Sequence, residues 1–151
     1  MRNRRGFTMV EMLMVLVVVS ILAGLGLLKY IDLRNTARAA ALAGDFRSVQ
    51  IGALNYYADK EQWPPETAAG TVPNGLAPYL QGPLSVSFDR TFYELDYENI
   101  RVEDEPLIGI SVISSDPKLM AKFIQVFSTK APFFVWGAKL TYVISGPGGM
   151  F

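Results

Sequence analysis

Apolar residues follow two different patterns along the chain, and the change between them lies near Lys29. From Phe7 to Leu28 the chain is almost continuously apolar, and Glu11 is its one ionisable side chain. This run slightly exceeds the roughly 20 residues that a helix needs to cross the hydrocarbon core of a bilayer. The pattern therefore predicts a membrane-spanning helix over residues 7–28.

Beyond Lys29 the apolar residues recur at spacings of three and four, which places them on one face of a helix. The residues of this stripe are Ala39, Leu42, Phe46, Val49, Ala53 and Tyr56. We expect the helix to continue over residues 29–60 and to end before Trp63-Pro64-Pro65, because proline does not fit the interior of a helix. We expect a sheet of the same chain to cover the stripe, in preference to a separate coiled-coil partner.

Strand patterns appear in the second half of the chain. Tyr93, Leu95 and Tyr97 alternate with Glu94 and Asp96, which is typical of a strand with one covered face. The predicted strands are residues 91–97, 107–113 and 139–144. The second of these is almost continuously apolar, so we expect it to be the more central strand.

The remaining segments complete an α+β fold. Residues 66–81 are rich in turn formers and are expected to form a loop between helix and sheet. Asp116 before Pro117 is typical of an N-cap and first helical position, and predicts a short helix through Phe127. Gly146–Gly149 is predicted to be a flexible tail. We therefore expect one long N-terminal helix packed on a small antiparallel sheet of about three or four strands.

Composition suits one membrane helix and one modest domain. The chain has 151 residues, of which 50% are hydrophobic and 19% are charged. It carries 14 basic and 14 acidic residues, so its formal net charge is zero. There is no cysteine, which excludes a disulfide framework and thiolate chemistry.

Nothing in the sequence points to catalysis, to a cofactor or to a metal site. Histidine and cysteine are absent, and the chain has neither a Gly-x-Ser-x-Gly motif nor a phosphate loop ending in Gly-Lys-Ser/Thr. Glu103, Asp104 and Glu105, with Asp96 and Glu98 nearby, offer oxygen atoms for calcium but lack a recognised ligand spacing, so a solvated acidic turn is the preferred interpretation. We expect a protein that is not an enzyme.

Nucleic-acid binding is also disfavoured. Lys118 and Lys122 share a helical face, and Lys130 and Lys139 follow later in the chain. No basic stripe with interleaved aromatic residues accompanies them, which argues against a nucleic-acid partner.

Glu11 requires an explanation, because an acid at the bilayer centre costs about 2.5 to 3.5 kcal/mol and less near an end. The string Arg5-Gly-Phe-Thr-Met-Val-Glu-Met12, followed by the apolar run to Gly24, resembles the class III leader and hydrophobic helix of type IV pilins and of type II secretion pseudopilins. The resemblance strongly covers roughly the first 30 residues.

This resemblance implies roles for three residues. Residues 1–6 would be a leader that a prepilin peptidase removes after Gly6, and the new amino terminus on Phe7 would be N-methylated. Residues 7–28 would then act as the transmembrane and assembly helix, with residues 29–60 as its amphipathic continuation and residues 61–151 as the loop and sheet domain. In a filament, Glu11 would meet the Phe7 amine of a neighbouring subunit.

The resemblance also implies partners and a location. The partners are filament subunits of the same or another kind, the prepilin peptidase and methyltransferase, and inner-membrane assembly machinery. Before assembly the chain would be a single-pass protein of the bacterial inner membrane with its amino terminus in the cytoplasm. After assembly it would lie in a pilus or in a periplasmic pseudopilus.

Several alternatives stay open at the level of sequence. A type II secretion pseudopilin carries the same motif as a type IV pilin, and an unprocessed membrane-anchored binding domain would keep Met1. The chain departs from many pilins in lacking cysteine and in carrying Leu28 where a proline is common. Gly24 and Gly26 suit either stretching of the helix in a filament or close helix packing in the membrane.

Overall fold

The first element of the fold is a 52-residue helix, α1, over Met9–Lys60. The computed structural model describes residues 7–102, 105–127, 132–147 and 149–150. The predicted continuation of the helix beyond Lys29 is confirmed. The chain divides into two compact units inside α1, at the boundary between Asn35 and Thr36.

The second unit contains an antiparallel sheet. Its strands are β1 (Glu94–Val102), β2 (Glu105–Ile113), β3 (Phe133–Trp136), β4 (Lys139–Gly146) and β5 (Gly149–Met150). Their order across the sheet is β1-β2-β4-β3, and β5 pairs with the end of β4. A second helix, α2 (Pro117–Val126), connects β2 to β3 in sequence. The predicted α+β architecture, a long helix on a small antiparallel sheet, is confirmed.

The apolar stripe of α1 is buried against this sheet. Its residues Ala39, Leu42, Phe46, Val49 and Ala53 are buried, and Tyr56 packs on the same core while partly exposed. The Phe46 ring lies 5.4 Å from the ring of Tyr142 in β4 and 4.6 Å from that of Phe127, measured between ring centres. The prediction that the chain's own sheet covers the stripe is therefore confirmed.

The second helix begins where the sequence indicates. The Asp116 carboxylate accepts hydrogen bonds from the backbone N–H groups of Lys118 and Leu119 at 2.9 and 3.2 Å, and Pro117 is the first helical residue. These bonds satisfy donors that the first turn of a helix leaves free. Phe123 then reaches the core, where its ring stacks on Phe127 at 5.2 Å.

The loop between helix and sheet packs closely on α1. It contains two short 3-10 turns, Ala77–Tyr79 and Gly82–Ser85. At Gly52 of α1, an added Cβ atom would lie 2.7 Å from Cδ2 of Leu80 and 3.2 Å from the carbonyl oxygen of Tyr79. Since real Cβ contacts are rarely this short, the loop can approach the helix here because residue 52 has no side chain.

The bounds of all three predicted strands differ from the structure, and one predicted tail is wrong. The second strand begins at Glu105 and the third ends at Gly146. The strand predicted at residues 91–97 begins only at Glu94 and continues to Val102, because the chain before it turns back through a hydrogen bond from the Arg90 N–H to the Tyr93 carbonyl. The predicted tail at Gly146–Gly149 is part of a hairpin, in which Gly146 of β4 pairs with Gly149 of β5.

One strand is missing from the sequence-based expectation altogether. The strand β3, Phe133–Trp136, consists of four consecutive apolar residues. A run this short shows no periodicity, so the pattern gives no reason to distinguish a strand from a buried loop. Only its pairing in the structure identifies it as a strand, since each of its residues pairs with one residue of β4.

The alternation along β1 also misleads at Asp96. Leu95 and Tyr97 are buried as predicted, but Asp96 is only 6% exposed. On the sheet face that carries Asp96, the ammonium group of Lys139 donates a hydrogen bond to its carboxylate at 2.8 Å and also pairs with Glu98. An outward-facing acid is therefore covered by a lysine that lies across the sheet.

The close approach at Gly52 predicts opposite effects of two alanine substitutions. We expect Gly52→Ala to lower the melting temperature, because its methyl group must displace Leu80 or the Tyr79 carbonyl. Gly44→Ala is the matched control in the same helix, since its Cβ atom meets no atom within 4 Å among the described residues. Alanine there gains up to ~1 kcal/mol of helix propensity. Near-ultraviolet circular dichroism of the detergent-solubilised chain during heating would measure the melting temperatures of both variants. A higher melting temperature for Gly52→Ala would contradict the close packing of the loop on residue 52.

The buried carboxyl group of Asp96 predicts a pH-dependent stability. Burial raises the pKa of Asp96, and the hydrogen bond from Lys139 offsets only part of this rise, while the neighbouring Glu98 adds to it. Because the folded chain then binds this proton more tightly than the unfolded chain, lowering the pH through the folded pKa stabilises the fold.

We therefore compare wild type with Asp96→Asn, whose amide does not titrate. As the pH is lowered from 7 towards the ordinary pKa of an aspartate, about 3.9, the melting temperature of wild type should rise relative to that of the variant. Burial is the main cause that raises the pKa of Glu66, and the charge of Asp96 adds a smaller part, which the variant lacks. The difference between the two profiles therefore reports Asp96 together with its effect on Glu66. Identical pH profiles for the two proteins would contradict the assignment to Asp96.

Candidate functional site

The start of α1 is closed by a reciprocal pair of side chains. Thr8, the residue before the helix, donates from its backbone N–H and from its hydroxyl group to Oε2 of Glu11, each at 2.8 Å. The backbone N–H of Glu11 donates in return to the Thr8 hydroxyl oxygen at 3.2 Å. This arrangement is a capping box, in which two side chains satisfy backbone donors at a helix start.

Glu11 therefore lies in the first turn of the helix, where the positive end of the helix dipole favours an anion. Sequence reasoning singled out Glu11 but missed Thr8 as its partner. The signal was present, because Thr8-x-x-Glu11 before an apolar run is the sequence pattern of a capping box. The cap gives Glu11 a role within a single chain.

The other two predicted site residues precede this box. Phe7 is exposed over 78% of its surface and stands before the first helical residue. Gly6, with the rest of the predicted leader, lies outside the described residues. The roles predicted for Gly6, Phe7 and Glu11 in cleavage, methylation and assembly stay predictions.

The apolar run that follows is not covered by any described residue of its own unit. Its large side chains are exposed, with Val10 at 73% and Leu28 at 68%. Ser20 donates its hydroxyl hydrogen to the Leu16 carbonyl at 2.7 Å, so this polar group is satisfied inside the helix. Among the described residues, α1 is the one helix that is long and apolar enough to cross a membrane.

The two glycines of this run are not required by any contact in the described chain. A Cβ atom added at Gly24 or at Gly26 would meet nothing within 4 Å. The helix continues through both positions. If glycine is needed there, the reason therefore lies in a contact with another molecule or in the conformational freedom of the helix itself.

Acidic residues considered for calcium are engaged otherwise or lie outside the described chain. Asp96 and Glu98 both pair with Lys139, and Ser111 donates its hydroxyl hydrogen to Glu98 at 2.6 Å. Within the described ranges no three carboxylates come together in a way that would hold a metal ion. Glu103 and Asp104 are not among the described residues.

The lysines and tryptophans of the second unit have distinct surroundings. Lys139 is neutralised by two carboxylates and so adds no net positive charge to a surface for nucleic acid. Lys130 lies outside the described residues. Trp63 stacks on Tyr57, with ring centres 4.4 Å apart, whereas Trp136 is 83% exposed.

Comparison with known families gives two matches along the chain. The prokaryotic N-terminal methylation motif matches residues 1–27, which include the capping box and most of the apolar run. A family model described as PilW, C-terminal, matches residues 34–84. No curated protein and no solved structure matches the chain.

The second match spans the part of the chain that builds the helix side of the core. It includes the buried stripe of α1 and the loop residues Leu76, Leu80 and Leu84, all of which are buried in the same cluster. The apolar run and the methylation motif together indicate membrane anchoring. With both family matches and a long helix packed on an antiparallel sheet, the chain is a type IV pilin-like protein.

Proposed function

We propose that this chain is a structural subunit of a type IV pilus-type filament, which is cut between Gly6 and Phe7, N-methylated on Phe7 and assembled through its N-terminal helix. The observation that carries the proposal is a carboxylate, Glu11, held at the start of an otherwise apolar helix. The protein works mechanically and is not an enzyme. Its partners are other filament subunits, the prepilin peptidase and the inner-membrane assembly machinery.

Charge neutralisation explains why an acid is kept in this position. Cutting after Gly6 would give Phe7 an α-amino group, which is largely cationic at neutral pH. When helices of neighbouring subunits pack together away from water, an unpaired carboxylate carries a large desolvation penalty. A register that brings Glu11 to the Phe7 amine of a neighbour removes this penalty, so the pair selects one stagger of the helices.

The capping box is compatible with this pairing. An ionised carboxylate has two oxygen atoms and about four acceptor positions. The bonds from Thr8 to Glu11 use Oε2. Further acceptor positions can therefore serve an amine from a neighbouring subunit while the cap holds the carboxylate in one orientation.

The exposed apolar run supplies the surface for assembly. In the membrane its side chains contact lipid, and in a filament they contact the helices of neighbours. Lipid tails are as apolar as the side chains, so transfer from lipid into a filament changes the hydrophobic free energy little. Packing between the helices therefore determines whether the subunits associate. The bacterial inner membrane is therefore the proposed location before assembly, and the filament the location afterwards.

A type II secretion pseudopilin would use the same helix and the same processing. The two family matches fit a pilin-like chain of either kind and do not favour one filament over the other. The place where assembled filaments are found, outside the cell or in the periplasm, separates the two. The pilus-type filament is the function proposed here.

Processing gives the first test of this proposal. We expect the protein from its native membrane to begin at N-methylated Phe7, as measured by intact mass and N-terminal sequencing. Gly6→Val should remain uncut, because the larger side chain at the residue before the cleaved bond hinders access of the peptidase to that bond. A wild-type chain that begins at Met1 would refute the proposal and support an unprocessed membrane-anchored binding domain.

The second test separates the cap from the charge. Glu11→Gln keeps an acceptor oxygen for Thr8, since glutamine also serves in capping boxes, but it carries no charge. Glu11→Ala removes both. We expect both variants to be cut normally and both to lose filament assembly by at least about tenfold, because each leaves the Phe7 amine unpaired.

Sheared filaments and the membrane-retained pool, each quantified by immunoblotting, provide the readout. Thr8→Ala is the matched control, because it weakens the cap by about 1 kcal/mol while keeping the carboxylate. It should assemble far better than Glu11→Gln. Wild-type assembly of Glu11→Gln would show that Glu11 acts as a cap alone.

A further inference from the structure

One end of the sheet is marked by a row of paired residues. The row crosses β1, β2, β4 and β3 in turn and consists of Glu94, Ile113, Lys139 and Trp136. The loops beyond the row are bonded to one another, since Ser114 donates its N–H to the Ala138 carbonyl at 3.3 Å and its hydroxyl hydrogen to the Phe92 carbonyl at 2.8 Å. This row and these loops form the Trp136 end of the sheet.

The helix α1 enters the second unit at the Trp136 end. Among the described residues, the first buried position of α1 is Ala39. The guanidinium carbon of the preceding residue, Arg38, lies 3.7 Å from the centre of the Phe92 ring. Phe46 follows in α1 and packs on Tyr142, which is farther along β4. The apolar run therefore precedes the Trp136 end in the chain, and α1 runs away from this end as it crosses the sheet.

The length of chain between the apolar run and this end is short. The run ends at Leu28, and the second unit begins at Thr36, eight positions later. These residues are helical and advance only about 12 Å along α1. The polar headgroup region itself extends roughly 5 to 7 Å beyond the hydrocarbon core of a bilayer. In an anchored chain, the Trp136 end is therefore held close to the headgroups.

The side chains exposed at the Trp136 end suit such a surface. Trp136 is 83% exposed and Phe92 is 45% exposed. Tryptophan is enriched at the level of the headgroups, where its ring is partly buried and its N–H remains hydrated. The cation of Arg38 beside Phe92 can face phosphate groups while its stem stays on the ring. At the opposite end of the sheet, by contrast, Val102 pairs with an exposed acid, Glu105.

Net charge does not supply the attraction. The loop before β1 and the start of that strand carry Asp89, Arg90 and Glu94, and Lys118 lies in the first turn of α2. Both signs of charge therefore lie near the exposed rings. A surface of this kind fits zwitterionic lipids, into which aromatic rings insert without a requirement for net positive charge.

We propose that the Trp136 end is a docking surface for the membrane in which α1 is anchored, with the rings of Trp136 and Phe92 in the headgroup region. The membrane is the occupant because α1 enters the unit at this end and its apolar run continues into the same bilayer. The contact holds the second unit against the lipid in the unassembled chain and breaks when the chain leaves the membrane. It rests on membrane anchoring and not on the proposed filament.

The two natural tryptophans of the chain provide the reporters for a test. Trp63→Phe leaves Trp136 as the only tryptophan, and Trp136→Phe leaves only Trp63. Trp63 is the matched reporter, because it follows the end of α1 at Lys60 and stacks on Tyr57. Phenylalanine keeps an aromatic ring at either position.

Each full-length variant is reconstituted into phosphatidylcholine vesicles, with and without bromine atoms on the acyl chains close to the headgroups. Bromine quenches tryptophan fluorescence only at close contact. We expect the fraction of fluorescence quenched to be at least about fivefold larger for Trp136 than for Trp63. Flotation of the chain with the vesicles shows that both variants are anchored.

A second pair of substitutions separates docking from mere proximity to the bilayer. In the chain with Trp136 alone, Phe92→Ser removes the other inserted ring and should lower the quenching of Trp136 about twofold or more. Ile100→Ser is the matched control, since Ile100 is 44% exposed but lies towards the opposite end of β1. It should leave the quenching unchanged.

Three results would overturn the proposal. In chains that float with the vesicles, quenching of Trp136 no greater than that of Trp63 would show that this end does not touch lipid. Equal effects of Phe92→Ser and Ile100→Ser would show that Trp136 lies near lipid without a docking surface. A chain that does not float would refute anchoring, on which the proposal rests. Failure of cleavage or of filament assembly would not affect these measurements and would count against the filament alone.

Discussion

A carboxylate at the start of an apolar helix needs a partner wherever that helix is placed, and this need governs the first unit of the molecule. In the single chain the partner is Thr8, whose N–H and hydroxyl groups both bond to Glu11. The cap stabilises the helix end and fixes the orientation of the acid. It does not neutralise the charge, and the remaining demand for a cation connects this local structure to assembly.

The second unit depends on a different principle, the burial of one face of α1. Phe46 lies at its centre, in contact with aromatic rings from α2 and from β4. The loop closes over the helix at Gly52, and the same loop closes the β1 edge of the sheet. One connecting segment thus completes the core on one side, while no other part of the described chain covers the far edge, β3.

Much of this fold could be predicted from sequence because its main elements are long and periodic. The stripe from Ala39 to Ala53, the cap at Asp116 and the central strand β2 all follow from spacing and residue type. Very short elements, and features that depend on residues far apart in sequence, could not be predicted. Four apolar residues carry no period, so β3 was missed, and the burial of Asp96 depends on Lys139, which is 43 positions away. At the candidate site, the capping box was visible as Thr8-x-x-Glu11 but was not recognised.

The central claim is that Glu11 joins one subunit to the next through the amino terminus on Phe7. The most direct measurement is a reconstruction of the native filament by electron cryomicroscopy, at a resolution that shows side chains in the helical core. The account predicts that the Phe7 nitrogen of each subunit lies within about 4 Å of the Glu11 carboxylate of a neighbour. A filament in which Glu11 contacts only Thr8 of its own chain, with no amine from a neighbour in reach, would contradict it.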